Sequence, residues 1–178
     1  MVVRTYIKAS GAQNKHKIAN LYFTAIQQMA FVFRMAILFI ISAVIASGIT
    51  IEFHNGLGFP IHLVVTQNHV APRQIATIPT GQYFSYYCPQ GFAGNFKHGW
   101  AGKGITLFEI SVRTHDATTY YDLSVIDGFN VPMKIYAPDG TRIQALHSRA
   151  PDAYLYPTDD TKTHGLRGDG KFVVVFEW

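Results

Sequence analysis

The chain has 178 residues, the length of a single domain, with 15 Lys and Arg against 11 Asp and Glu for a net charge of +4. That charge is unevenly placed. Arg4, Lys8, Lys15, Lys17 and Arg34 precede residue 49, and every acidic residue follows it, so residues 49–178 carry 10 basic and 11 acidic side chains. A nucleic-acid binder keeps its Lys and Arg on the folded domain, which excludes nucleic acid as a partner here.

Residues 35–46 are apolar apart from Ser42, follow Arg34 and end at Ser47-Gly48. Twelve apolar residues are too few to span a bilayer but fit the hydrophobic segment of a signal peptide, with the small Ala46 and Gly48 suiting cleavage before Ile49. The alternative is an anchor extended back to Leu21, which Gln27, Gln28 and Arg34 interrupt. Residues 1–48 are therefore expected to be an N-terminal extension and signal peptide, leaving a secreted domain over 49–178 with no stable membrane anchor after cleavage. Met29 and Met35 are alternative starts to Met1.

From residue 49 onward short strands follow one another. Ile49, Ile51 and Phe53 alternate with Thr50, Glu52 and His54, the period of a strand with one buried face. Residues 61–67 continue as a second strand, and 68–73 read as a polar loop closed by Pro72. Residues 74–78 and 82–88 are strands joined at Pro79-Thr80-Gly81, with proline early and glycine late in the turn. Residues 89–104 hold five glycines among Phe92, Phe96 and Trp100. Without a Gly-Lys-Ser/Thr ending this is no phosphate loop. It reads as a twisted, bulged strand or, secondarily, an aromatic binding loop. Residues 106–112 alternate again, and after the stretch described next come 133–136, an Ala137-Pro138-Asp139-Gly140 turn, 141–146 and 172–178. No amphipathic helix of useful length follows residue 48. The chain is expected to be all-β, an antiparallel β-sandwich.

The most informative stretch, residues 120–133, reads Tyr-Tyr-Asp-Leu-Ser-Val-Ile-Asp-Gly-Phe-Asn-Val-Pro-Met. Tyr121, Leu123 and Val125 alternate with polar partners, Asp127-Gly128 breaks the strand, and Val131 is held extended by the proline after it. With Thr106-Leu107-Phe108-Glu109-Ile110, Ala150-Pro151-Asp152-Ala153-Tyr154-Leu155-Tyr156 and Phe172-Val173-Val174-Val175-Phe176, it resembles the thaumatin-like family, whose motifs run in this order. The resemblance covers residues 49–178. It implies an antiparallel sandwich, and it implies that Glu109, Asp122 and Asp127 line an acidic groove. The family's second, loop domain has only 16 residues here, between Met133 and Ala150, in which to fall, and is expected to be missing. The family is also rich in disulfides, whereas here Ala150 and Glu177 stand where two of its cysteines do. The one cysteine, Cys88, can form no internal bridge. It is expected either to be buried, since it ends an aromatic strand, or to link two chains.

Glu109 and Asp122 lie on polar faces of strands, so adjacent strands bring them together. Such carboxylates can accept sugar hydroxyls, hydrolyse a glycoside or hold a hard cation. Taken singly, each is an ordinary solvated residue, and Asp127 reads as a turn cap. Lys97, Lys103 and Trp100 are secondary candidates, the family's groove arginine having no counterpart near residues 95–100. The histidines have no ligand spacing, so no metal and no cofactor is expected. The reading that follows is a secreted defence or antagonism protein, extracellular or in the cell wall, that binds a polysaccharide such as β-glucan. The alternatives are a weak endo-β-1,3-glucanase with Glu109 as acid and Asp122 or Asp127 as partner, and a ligand-free structural protein, self-assembling or linked through Cys88.

Overall fold

The computed structural model describes residues 21, 23–34, 48–100 and 104–178. The apolar run at 35–46, Met1, Met35 and Lys103 lie outside the described residues. The chain divides into two units, Met1–Ala46 and Ser47–Trp178. In the first, residues 23–34 are helical and exposed. No helix among the described residues is long and apolar enough to cross a membrane.

Among its described residues the second unit is a two-sheet sandwich of twelve strands, most of them where the alternation and turn spacing predict them. In the smaller sheet, β4 (Tyr83–Pro89), β1 (Gly48–Asn55), β12 (Gly170–Phe176), β8 (Met133–Tyr136) and β9 (Arg142–Ala145) lie side by side in that order. In the larger, β10 (Ala153–Tyr154), β7 (Thr118–Ser124), β6 (Leu107–Val112), β5 (Ala93–His98), β2 (Ile61–Gln67) and β3 (Val70–Ile78) do so, with β11 (His164–Arg167) also paired to β7. The short β10 and β11 share the outer edge of β7, one along Leu123–Ser124 and the other along Thr118–Tyr121.

The inward positions of both sheets form one core. Ile49, Ile51 and Phe53 of β1 and Phe172, Val174 and Phe176 of β12 face Leu63, Phe96, Phe108, Ile110, Tyr121 and Leu123. Phe53 and Phe96 meet with ring centroids 4.9 Å apart, and Tyr121 meets Phe172 edge-on at 4.8 Å. Burial of such aromatic area stabilises the sandwich without a cross-link. Cys88 belongs to this core and is 0% exposed. Burial pushes its thiol well above the usual range. A bridge between folded chains through Cys88 would therefore require β4 to open.

Three features depart from the sequence reading. The antiparallel sandwich contains two parallel pairs, β1 with β12 and β10 with β7. The polar loop at 68–73 is mostly strand. β3 starts at Val70, after a turn in which His69 takes a φ of 63°. As an edge strand it accommodates Pro72, and its exposure on both faces hides the alternation. The glycine-rich stretch does supply a strand, β5, but the irregular register falls between β2 and β3 instead. Residues 133–145 form the β8–β9 hairpin, so the interval left for a loop domain is filled by the sandwich itself.

Candidate functional site

The outward face of the larger sheet carries a row of polar residues in direct register. Asp122 on β7 stands opposite Glu109 on β6, Glu109 opposite Asn95 on β5, and Asn95 opposite Thr66 on β2. Four adjacent strands place the ends of this row roughly 14 Å apart. Each residue is half-buried and is set outward by the pleat, since its sequence neighbours Phe108, Ile110, Tyr121 and Leu123 point into the core. Gly94 lets β2 and β5 approach closely at this point, because a Cβ there would collide with the Thr66 carbonyl oxygen.

Glu109 and Asp122 lie close enough for each to act on the other's titration. Two carboxylates so placed cannot both ionise cheaply. Burial pushes Asp122 from 3.8 up to about 8, and the Glu109 charge adds to the rise. Burial raises Glu109 as well, with Asp122 and Lys97 pulling it down and Asp127 pushing it up. At neutral pH Asp122 therefore keeps its proton. No donor among the described residues reaches the buried Asp122 Oδ1.

Lys97, two residues beyond Asn95 on the same face, donates from Nζ to Thr66 Oγ1 at 2.8 Å and to Asn95 Oδ1 at 3.3 Å. Burial lowers its pKa against the opposing charges of Asp127 and Glu109. Asp127 is exposed in the turn after β7, near enough to Glu109 and Lys97 to act on both. That turn is closed by backbone, Gly128 N–H to Val125 O at 3.0 Å. Gly128 takes a φ of 109° and packs directly on Gly104, a conformation and a clearance that only glycine meets.

Sequence reasoning missed what holds this turn. Asn130 accepts from Thr106 N at 3.0 Å through Oδ1 and donates through Nδ2 to His98 O at 2.8 Å, while Thr106 Oγ1 donates to Val131 O at 2.8 Å. The segment carrying Asp127 is thus tied to the start of β6 and the end of β5. The polar Asn130 and the buried Thr106 were the available signals. Asn95 and Thr66 were missed because only the strand register makes them neighbours of the carboxylates.

Of the sequence candidates, Glu109, Asp122, Asp127 and Lys97 come together. Trp100 is exposed beyond the end of β5. No group of three or more His, Cys, Asp or Glu with metal-binding geometry occurs among the described residues.

No family model matches the chain. Its sequence is 45% identical over 74 residues to a thaumatin-like protein of Oryza sativa subsp. japonica, covering 42% of this chain and 41% of that one. It is 38% identical over 85 residues to thaumatin-like pathogenesis-related protein 4 of Avena sativa, covering 47% and 48%. The matched stretch thus spans less than half the length of these relatives. Among solved structures, the thaumatin-like xylanase inhibitor TLXI superposes with a TM-score of 0.57 at 14% identity, over 71% of this chain and 97% of its own. The protein elicitor MoHrip2 from Magnaporthe oryzae does so with a TM-score of 0.57 at 16% identity and the same coverage. At such identities the superpositions speak for the fold alone. The chain is similar to thaumatin-like proteins, in sequence over the stretch it shares with these relatives and in fold over the sandwich.

Proposed function

We propose that this chain is a secreted defence or antagonism protein, extracellular or in the cell wall, that holds cell-wall carbohydrate along the polar row, with β-glucan as the ligand. The observation that carries this reading is the facing, half-buried Glu109–Asp122 pair in the middle of the row, with burial keeping Asp122 protonated at neutral pH. Such a pair offers a donor and several acceptors at once, which is what vicinal sugar hydroxyls require. Lys97 and Asn95 add donors along the row, and Asp127 adds an acceptor at its end. The names of the curated relatives, several of them pathogenesis-related proteins, support a role in defence.

Glycoside hydrolysis fits less well. A retaining glycosidase separates its carboxyls by about 5–5.5 Å and an inverting one by about 6.5–9.5 Å. With burial holding Asp122 up to about 8, it lacks at neutral pH the ionised form that a nucleophile or base beside an acidic Glu109 needs. Binding without product release is the expected behaviour.

Secretion rests on the apolar run at 35–46. Cleavage before Ile49 would remove only Gly48 from β1 and keep the register from Ile49 against Cys88 to His54 against Tyr83. Sequencing the mature N-terminus tests the cleavage. Retention on insoluble β-1,3-glucan tests the binding: the protein should sediment with the polysaccharide, and a protein left wholly in the supernatant would overturn the reading.

A further inference from the structure

A second concave site lies on the opposite side of the sandwich, on the outward face of β8 and β9. Lys134 stands opposite Gln144 and Tyr136 opposite Arg142, so all four side chains leave the same face of the sheet. With Asp152 at the edge they line a cavity of about 280 Å³. The Arg142 guanidinium carbon sits 5.5 Å from the centre of the Tyr136 ring, a placement that pre-orients its planar fork.

The charges of this cavity differ in how they are engaged. Lys134 Nζ donates to Glu177 Oε1 at 3.2 Å and to Trp178 O at 2.8 Å, so its charge is matched. Asp152 Oδ2 accepts from the Gln144 backbone N–H at 3.2 Å, which closes the free edge of β9. Arg142 forms no ion pair with a carboxylate among the described residues and is exposed. The site therefore has one cationic fork to fill, flanked by the Gln144 amide and a carboxylate that can accept hydroxyls. A phosphate dianion would set its second charge against Asp152. A single carboxylate on a hydroxyl-bearing ring satisfies both the fork and the acceptors.

We propose that this cavity is a binding site for uronic-acid residues of an acidic polysaccharide, with the uronate carboxylate bidentate on Arg142 and ring hydroxyls on Gln144 and Asp152. It is separate from the row on the larger sheet, whose carboxyls would repel a uronate, and it does not depend on the reading given to that row.

The test is chemical-shift mapping of the full chain with a galacturonic acid trisaccharide, run beside a neutral glucose trisaccharide and inorganic phosphate. The uronate should shift amides of Met133–Tyr136 and Arg142–Ala145. Arg142→Gln should weaken that binding by about tenfold or more, as loss of a charge-assisted pair does, and Arg142→Lys should restore part of it. Glu109→Gln should leave it unchanged. Shifts confined to other elements, equal affinity in Arg142→Gln, equal binding of the neutral sugar or of phosphate, or no shifts in the folded protein would each overturn the proposal.

Discussion

Replacing Asp122 by Asn is the perturbation that most directly probes the carboxyl pair, because the amide keeps the shape and removes the titration. Asp122 binds its proton up to about pH 8 in the folded state against an ordinary value of 3.8. A carboxyl whose folded pKa is raised favours folding below its unfolded value. As pH rises from about 4, the unfolded chain releases its proton first, and stability falls until the folded group titrates near 8. Each unit of separation is worth about 1.4 kcal/mol, and the interaction with Glu109 divides the effect between the two groups. A loss of about 2–5 kcal/mol for the wild type between pH 4 and pH 8 is the expected order. Asp122→Asn should flatten most of that slope. It should match the wild type near pH 4 and exceed it by a few kcal/mol near pH 8. Urea unfolding at several pH values measures this directly, with the midpoint moving at constant slope. Curves for variant and wild type that run parallel from pH 4 to 8 would refute the reasoning.

Two further outcomes follow from the same geometry. Asn130→Ala removes bonds to Thr106 N and His98 O and should lower stability by about 1–3 kcal/mol. It should also speed hydrogen exchange at Thr106, which restraint by packing alone would not change. Cys88 should resist thiol reagents in the native protein and react completely in denaturant, because it is buried and its thiolate is disfavoured. Rapid native labelling would place it at the surface.

Much of the sandwich was legible because burial imposes a period of two. The alternations at 49–53, 107–112 and 120–125 gave strands whose inward sets form the observed core. β3 was read short because an edge strand exposed on both faces carries no alternation. β10 and β11, with two and four residues, are too brief to leave a period. The parallel pairing of β1 with β12 joins the two ends of the domain, which no local pattern encodes. The site was legible to the same depth. Glu109 and Asp122 showed as outward residues on successive strands, whereas Asn95 and Thr66 joined them only through registers set elsewhere in the sheet. That burial raises both carboxyls could not be read at all, since it depends on the packing around them.

The central claim is that the row around Glu109 and Asp122 is the working surface. The most direct measurement compares the affinity of a soluble β-1,3-glucan oligosaccharide for the wild type and for a Glu109→Gln, Asp122→Asn, Asp127→Asn variant, with circular dichroism confirming the sandwich in both. The account predicts that the variant keeps its fold and loses the ligand. An unchanged affinity in the folded variant would contradict it and show that the scaffold holds carbohydrate elsewhere or not at all.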